Sequence, residues 1–236
     1  MAQRKSKRGL IISILVMVVG IPATVVLSYL FGDRKLYIAS VIIMVLAMVP
    51  FFTSFETSRP DARALASLAV MTAICVVSRV AFIWAPSFKP MAGVVVMTAV
   101  AFGPQAGFMC GAMSMIISNM IFGQGPWTPW QMFCYGLIGF IAGLLANAKI
   151  IGEKHVIRTS IITMLMVFIL SSAILDTQSV FFLLTNQTTA SVIAVYLAGI
   201  VPNILNGIAS GTAVFLLLKP LSSILNRIKV KYGMKF

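Results

Sequence analysis

Eight long apolar runs, broken only by short polar punctuation, constrain this chain more than any other feature. A helix needs about 20 apolar residues to cross a bilayer's hydrocarbon core. The runs cover about 10–31, 37–54, 64–84, 91–103, 106–122, 130–147, 159–175 and 190–218. Most reach that length, and no gap between them holds a soluble domain. With 60% apolar and only 10% charged residues among 236, the chain lacks the polar surface a soluble core requires. The reading is an all-α, polytopic membrane helix bundle.

The boundaries follow from breakers and charges. Gly32-Asp33-Arg34-Lys35 ends the first run, and Glu56 with Arg59-Pro60-Asp61 ends the second. Trp84-Ala85-Pro86 ends the third, Gly103-Pro104 the fourth, and Gly123-Gln124-Gly125-Pro126 the fifth. Asp176 and a polar stretch close the seventh, and Lys219-Pro220 the eighth. The fourth run is short for a span, so a tilt, a break or an extension by its flanking glycines is expected. The first run follows a basic tail. It is too long for a signal-peptide core and no small-residue cleavage site follows, so it reads as a retained span.

The net charge of +13 raises the question of nucleic acid. Placement answers it, because the basic residues lie at the tails and in alternate loops. One side carries 14 of them: Arg4, Lys5, Lys7, Arg8, Arg59, Arg63, Lys149, Lys154, Arg158, Lys219, Arg227, Lys229, Lys231 and Lys235. The other side carries Arg34, Lys35 and Lys89. This asymmetry sets orientation in membrane proteins, and it puts both termini in the cytoplasm of a multi-pass cell-membrane protein. Lipid, not nucleic acid, is the surrounding partner.

The chemistry is that of binding. There is no G-x-x-x-x-G-K-[ST] phosphate loop, so the chain does not hydrolyse ATP by that route. The five acids, Asp33, Glu56, Asp61, Glu153 and Asp176, fall in loops or near span ends, which argues against a carboxylate proton relay. The single histidine, His155, reads as a solvated loop residue. Cys75, Cys110 and Cys134 lie in apolar runs without metal or disulfide spacing. No catalytic residue, metal site or cofactor is expected, and an enzyme is disfavoured.

Polar groups gather toward the outer side. Arg79 is the one charge inside a span; it either snorkels to headgroups or meets a polar or anionic part of a ligand. The stretch 119–131 holds Asn119, Gln124, Trp127, Trp130 and Gln131 among two prolines and two glycines. Such a loop is stiff, and its tryptophans offer flat faces with one donor each. An interfacial aromatic belt would use the same residue, but needs neither the prolines nor the neighbouring amides. Asn203 and Asn206, one turn apart after Pro202, serve an interhelical bond or a ligand. Asp176, Gln178 and Asn186 fall in the last outer loop, where Asn186-Gln187-Thr188 is a weakly informative sequon. Gly107/Gly111, Gly139/Gly143 and Gly207/Gly211 write close helix packing; Ala62/Ala66 and Ala69/Ala73 write either packing or docking of another subunit.

From about residue 58 onward, these motifs resemble the substrate-binding S component of energy-coupling factor (ECF) vitamin transporters. The resemblance rests on the alanine run over 62–73, Phe88-Lys89-Pro90, and Phe102-Gly103-Pro104-Gln105-Ala106-Gly107. The string GPWTPWQM over 125–132 and the tail Arg227-Ile228-Lys229-Val230-Lys231-Tyr232-Gly233 add to it. The branch looks similar to S components assigned to cobalamin, with riboflavin as the alternative vitamin. The resemblance implies a six-helix core over 59–236, preceded here by a two-helix addition over 1–58. It implies an outer vitamin pocket gated by the loops 84–90 and 122–131. It also implies two kinds of partner, a transmembrane coupling subunit and a pair of ATPase subunits. Substrate contacts are expected from Arg79, Lys89, Asn119, Gln124, Trp127, Trp130, Gln131, Asn203 and Asn206, and coupling-subunit docking from Ala62, Ala66, Ala69 and Ala73. A stand-alone facilitator or secondary carrier is the rival.

Overall fold

The computed structural model describes residues 36–58, 61–183 and 188–232. The first expected span, the N-terminal basic tail, Arg34 and Lys35, Arg59-Pro60, Asn186-Gln187 and residues 233–236 lie outside the described residues. Among the described residues the elements are helical, without strands. They are α1 (Leu36–Ser58), α2 (Ala62–Val80), α3 (Met91–Phe102), α4 (Pro104–Phe122) and α5 (Thr128–Asn147). A 3-10 turn (Glu153–His155) leads into α6 (Val156–Ser171), a π-helical segment (Ser172–Asp176), α7 (Thr177–Leu183) and α8 (Thr189–Tyr232). Six helical stretches are long and apolar enough to cross a membrane, and α3 is a shorter apolar helix. The seven expected spans that fall in the described chain are all present, and the molecule is a multi-pass helix bundle.

The short fourth span is the innermost helix. Every residue of α3 except Val100 is buried, on all faces. Twelve residues give only about 18 Å of helix. That suffices because the ends of α3 meet protein rather than lipid, where its backbone groups find partners. Gly103 turns the chain directly from α3 into α4 at φ 93°, a conformation that side-chain-bearing residues disfavour, and Pro104 starts the next helix.

Helix packing follows the small residues. A Cβ on Gly107 would lie 2.6 Å from the Gly139 carbonyl oxygen, and one on Gly139 would strike the Gly107 carbonyl in return. Gly111 sits against the Tyr135 carbonyl and Gly143 against the Pro104 backbone, so α4 and α5 touch main chain to main chain. Gly207 and Gly211 face Met164 of α6, and Ser160 Oγ donates to the Gly211 carbonyl at 2.5 Å. The three glycine pairs are internal packing, as their spacing indicates. Large aliphatic side chains such as Val70, Val77, Leu165 and Val201 are left on the outside, where lipid covers them.

Three boundaries differ from the sequence reading. The helix α2 stops at Val80, and residues 81–86 form turns. The seventh span does not end at Asp176. The helix passes through the π segment and continues as α7, so Asp176 and Gln178 are helical and Asp176 is buried. Its carboxylate is held by Asn203, which removes the reason for the chain to break there. The eighth span does not stop at Lys219-Pro220, because α8 runs through both Pro202 and Pro220 to Tyr232. An internal proline costs about 3 kcal/mol. Here the following turns are anchored: Leu225 is buried, Ser222 Oγ donates to Glu153 Oε2 at 2.7 Å, and Lys229 Nζ donates to the Ala101 carbonyl at 3.0 Å.

Helix α1, the described half of the expected N-terminal addition, shares the common core. Phe51 stacks on Phe108 at 4.2 Å between ring centroids and meets Phe140 edge-on at 4.9 Å. Met48 and Phe55 are buried in the same cluster.

Candidate functional site

The end of the bundle bearing the loops 81–90 and 123–127 carries a closed polar network. Arg79, in the last turn of α2, does not snorkel outward; it turns inward across to α4. Its Nη1 donates to Ser118 Oγ at 2.5 Å and to Asn119 Oδ1 at 2.8 Å, and contacts Met115 Sδ at 3.4 Å. The guanidinium lies 4.4 Å above the Phe122 ring. These partners are neutral, so the positive charge is solvated by dipoles and a ring face.

Asn119 is fully buried and is the centre of the network. Its Nδ2 donates to Thr128 Oγ1 at 3.0 Å and to Gln131 Oε1 at 2.8 Å, which ties α4 to α5. Thr128 Oγ1 donates to Gln124 Oε1 at 2.9 Å and accepts from the Gly125 N–H at 3.4 Å. Gln124 Nε2 returns to the Ile116 carbonyl at 2.6 Å. The intervening loop is thereby pinned at both ends. Lys89 caps the carbonyls of Phe82 and, at 2.9 Å, Ala85, with its ammonium 5.9 Å from the same Phe122 ring. Burial, and then the nearby Arg79 charge, push the Lys89 ammonium below its usual pKa. Two cations therefore flank one aromatic face.

The two tryptophans part company. Trp127, at the N-cap of α5, is 37% exposed at the rim, and its ring lies over Gly125. Trp130 is only 4% exposed and tilts against Phe181 of α7, with centroids 6.0 Å apart. Its Nε1 has no partner.

Asn203 and Asn206 belong to a second cluster between α5, the π segment and α8. Asn203 Nδ2 donates to Ser172 Oγ and Asp176 Oδ2, both at 2.9 Å, and Gly199 leaves room for that carboxylate. Asn206 Nδ2 donates to the Tyr135 hydroxyl at 3.0 Å. Four buried polar atoms among the described residues are unpartnered: Trp130 Nε1, Ser171 Oγ, Asn206 Oδ1 and Ser210 Oγ. Such atoms are costly to leave unpaired, and water or ligand groups would satisfy them. Tyr135, Ser172 and Thr128, which the sequence did not single out, join these networks, as does Asp176, which the sequence placed in the last outer loop.

On the flank of the bundle, Ala62, Ala66, Ala69 and Ala73 are all exposed, while Ala64, Leu68 and Cys75 of the same helix face inward. Ala69 and Ala73 line an apolar groove of about 420 Å³ between α2 and α4, walled by Leu65, Val77, Met113 and Ile117.

The polar network at one end and the exposed small-residue stripe on the flank are the two features of this bundle that a comparison with known families bears on. Residues 61–223 match the family described as ECF-type riboflavin transporter, S component. The chain belongs to this family. It is the substrate-binding membrane subunit of an ECF importer and not an enzyme, and membership implies association with ECF coupling and ATPase subunits and a vitamin ligand. No curated protein and no solved structure matches the chain.

Proposed function

We propose that this S component captures its vitamin at the end of the bundle formed by Arg79, Asn119, Trp127 and Gln131, and that this end faces outward. The skew of Lys and Arg toward the opposite end supports that orientation, with both termini cytoplasmic. The observation that carries the reading is the Arg79–Asn119–Gln131 network beside the half-exposed Trp127 ring. Hydrogen-bonding amides next to a flat aromatic face suit a planar heterocycle with a polar side chain. Riboflavin has that form, and it is the vitamin named by the matched family. Cobalamin, the vitamin of the branch that the sequence resembles, is the second reading.

Lys89 and Gln124 hold the two loops that gate access, and Trp130, Asn203 and Asn206 serve the vitamin from the second cluster. Ala62, Ala66, Ala69 and Ala73 dock the transmembrane coupling subunit, and two ATPases supply the energy that the chain has no loop to harvest. The division at residue 58 is supported by the start of the family match at Asp61. Residues 1–58 are then an addition to the six-helix transport core, with α1 packed onto it.

Thermal unfolding of the purified chain against riboflavin, cobalamin and other vitamins tests the ligand, because binding to the folded state raises its stability. Riboflavin is expected to stabilise the protein, and Trp127→Ala to weaken that binding by about 1–3 kcal/mol. Stabilisation by cobalamin alone would favour the second reading. A panel in which no vitamin shifts the transition contradicts vitamin capture.

A further inference from the structure

A separate cavity opens at the opposite, basic end. It has a volume of about 580 Å³ and lies where the start of α6 meets α8 at Lys219. Lys154, Arg158 and Lys219 ring it, all exposed, and among the described residues none of the three makes a hydrogen bond or ion pair. Glu153, the acid beside them, is turned away to Ser222 and Asn226. Three cations thus stand against one acid that pairs with none of them, and the N-terminal dipole of α6 adds to the positive excess.

The walls below the cations are apolar. Ile157 and Ile161 line the cavity, and Leu165 and Ile169 continue the same exposed i, i+4 row down α6. Twelve residues of helix make that row about 18 Å long, comparable with a lipid acyl chain. A free phosphate has no use for such a wall, and a neutral lipid has no use for three cations.

We propose that this groove is a binding site for an anionic phospholipid. The phosphate sits among Lys154, Arg158 and Lys219, and one acyl chain lies along Ile157, Ile161, Leu165 and Ile169. Charge complementarity selects the headgroup, as at other basic pockets between membrane helices.

Native mass spectrometry of the full chain tests this, with equimolar phosphatidylglycerol and phosphatidylcholine added in mild detergent. The protein should retain phosphatidylglycerol preferentially, and added inorganic phosphate should leave it in place. In the triple variant Lys154→Gln, Arg158→Gln, Lys219→Gln, retention should fall at least about fivefold, the share of a single surface cation. Arg227→Gln, a charge lost elsewhere at the same end, should retain the lipid. Ile161→Trp fills the groove with the charges intact and should also lower retention, which keeps the test decisive if the triple variant does not fold. Equal retention of the two lipids, displacement by phosphate, or undiminished retention in Ile161→Trp would overturn the proposal.

Discussion

Arg79 illustrates how one residue makes a membrane charge tolerable. A guanidinium within a span is expensive unless dipoles replace its water. Here Ser118, Asn119 and the Phe122 ring do so, and Asn119 can serve because its carbonyl accepts from Arg79 while its amide donates to Thr128 and Gln131. Arg79→Gln should remove two charge-assisted bonds and lower stability by about 2 kcal/mol, since a hydrogen bond to a charged group contributes about 1.5–3 kcal/mol. Vitamin affinity should fall with it. Thermal unfolding and ligand titration of the variant check this, and unchanged values in both would show that the network carries neither load. The sequence marked Arg79, Asn119, Gln124 and Gln131 one by one as polar exceptions in apolar surroundings. It did not show that they bond to each other, because the pairing of α2 with α4 is set by packing across 40 residues of chain. Thr128 went unnoticed because a Thr-Pro pair reads as loop, yet it starts α5 and joins the network.

At the scale of elements, the glycine spacing and most helix ends were legible, and the ends near Val80, Asp176 and Pro220 were not. The pairs Gly107/Gly111 and Gly139/Gly143 bring α4 and α5 into backbone contact. A methyl at Gly139 would meet the Gly107 carbonyl, which cannot swing aside as a side chain would. Gly139→Ala should therefore destabilise the bundle by about 1–3 kcal/mol, the usual cost of overpacking. Unfolding in detergent measures it, and a neutral substitution would mean the helices are not so closely packed. Asp176 and Pro220 misled because each is a local stop signal outweighed by distant contacts. Asn203 accommodates the acid, and Glu153 and the Ala101 carbonyl hold the helix beyond the proline. The short α3 reads as a poor span only if it must face lipid, and burial by its neighbours removes that requirement.

Over the whole molecule, two surfaces besides the basic groove stand apart from the lipid-facing aliphatic coat. One is the end built around Arg79 and Trp127; the other is the stripe Ala62, Ala66, Ala69 and Ala73. Small residues allow another helix to approach closely in a medium that gives helices no hydrophobic reason to associate. Leucine at both Ala69 and Ala73 adds bulk outside the core, so ligand affinity should stay within about 0.5 kcal/mol of the parent protein. Uptake in vesicles that also contain the coupling and ATPase subunits should fall to background; persistence at the parent rate would remove the docking role. The most direct test is vitamin accumulation in sealed vesicles, with and without those partner subunits and ATP. Uphill accumulation is expected only when the partners and ATP are both present. Concentration of the vitamin against its gradient by this chain alone would contradict it.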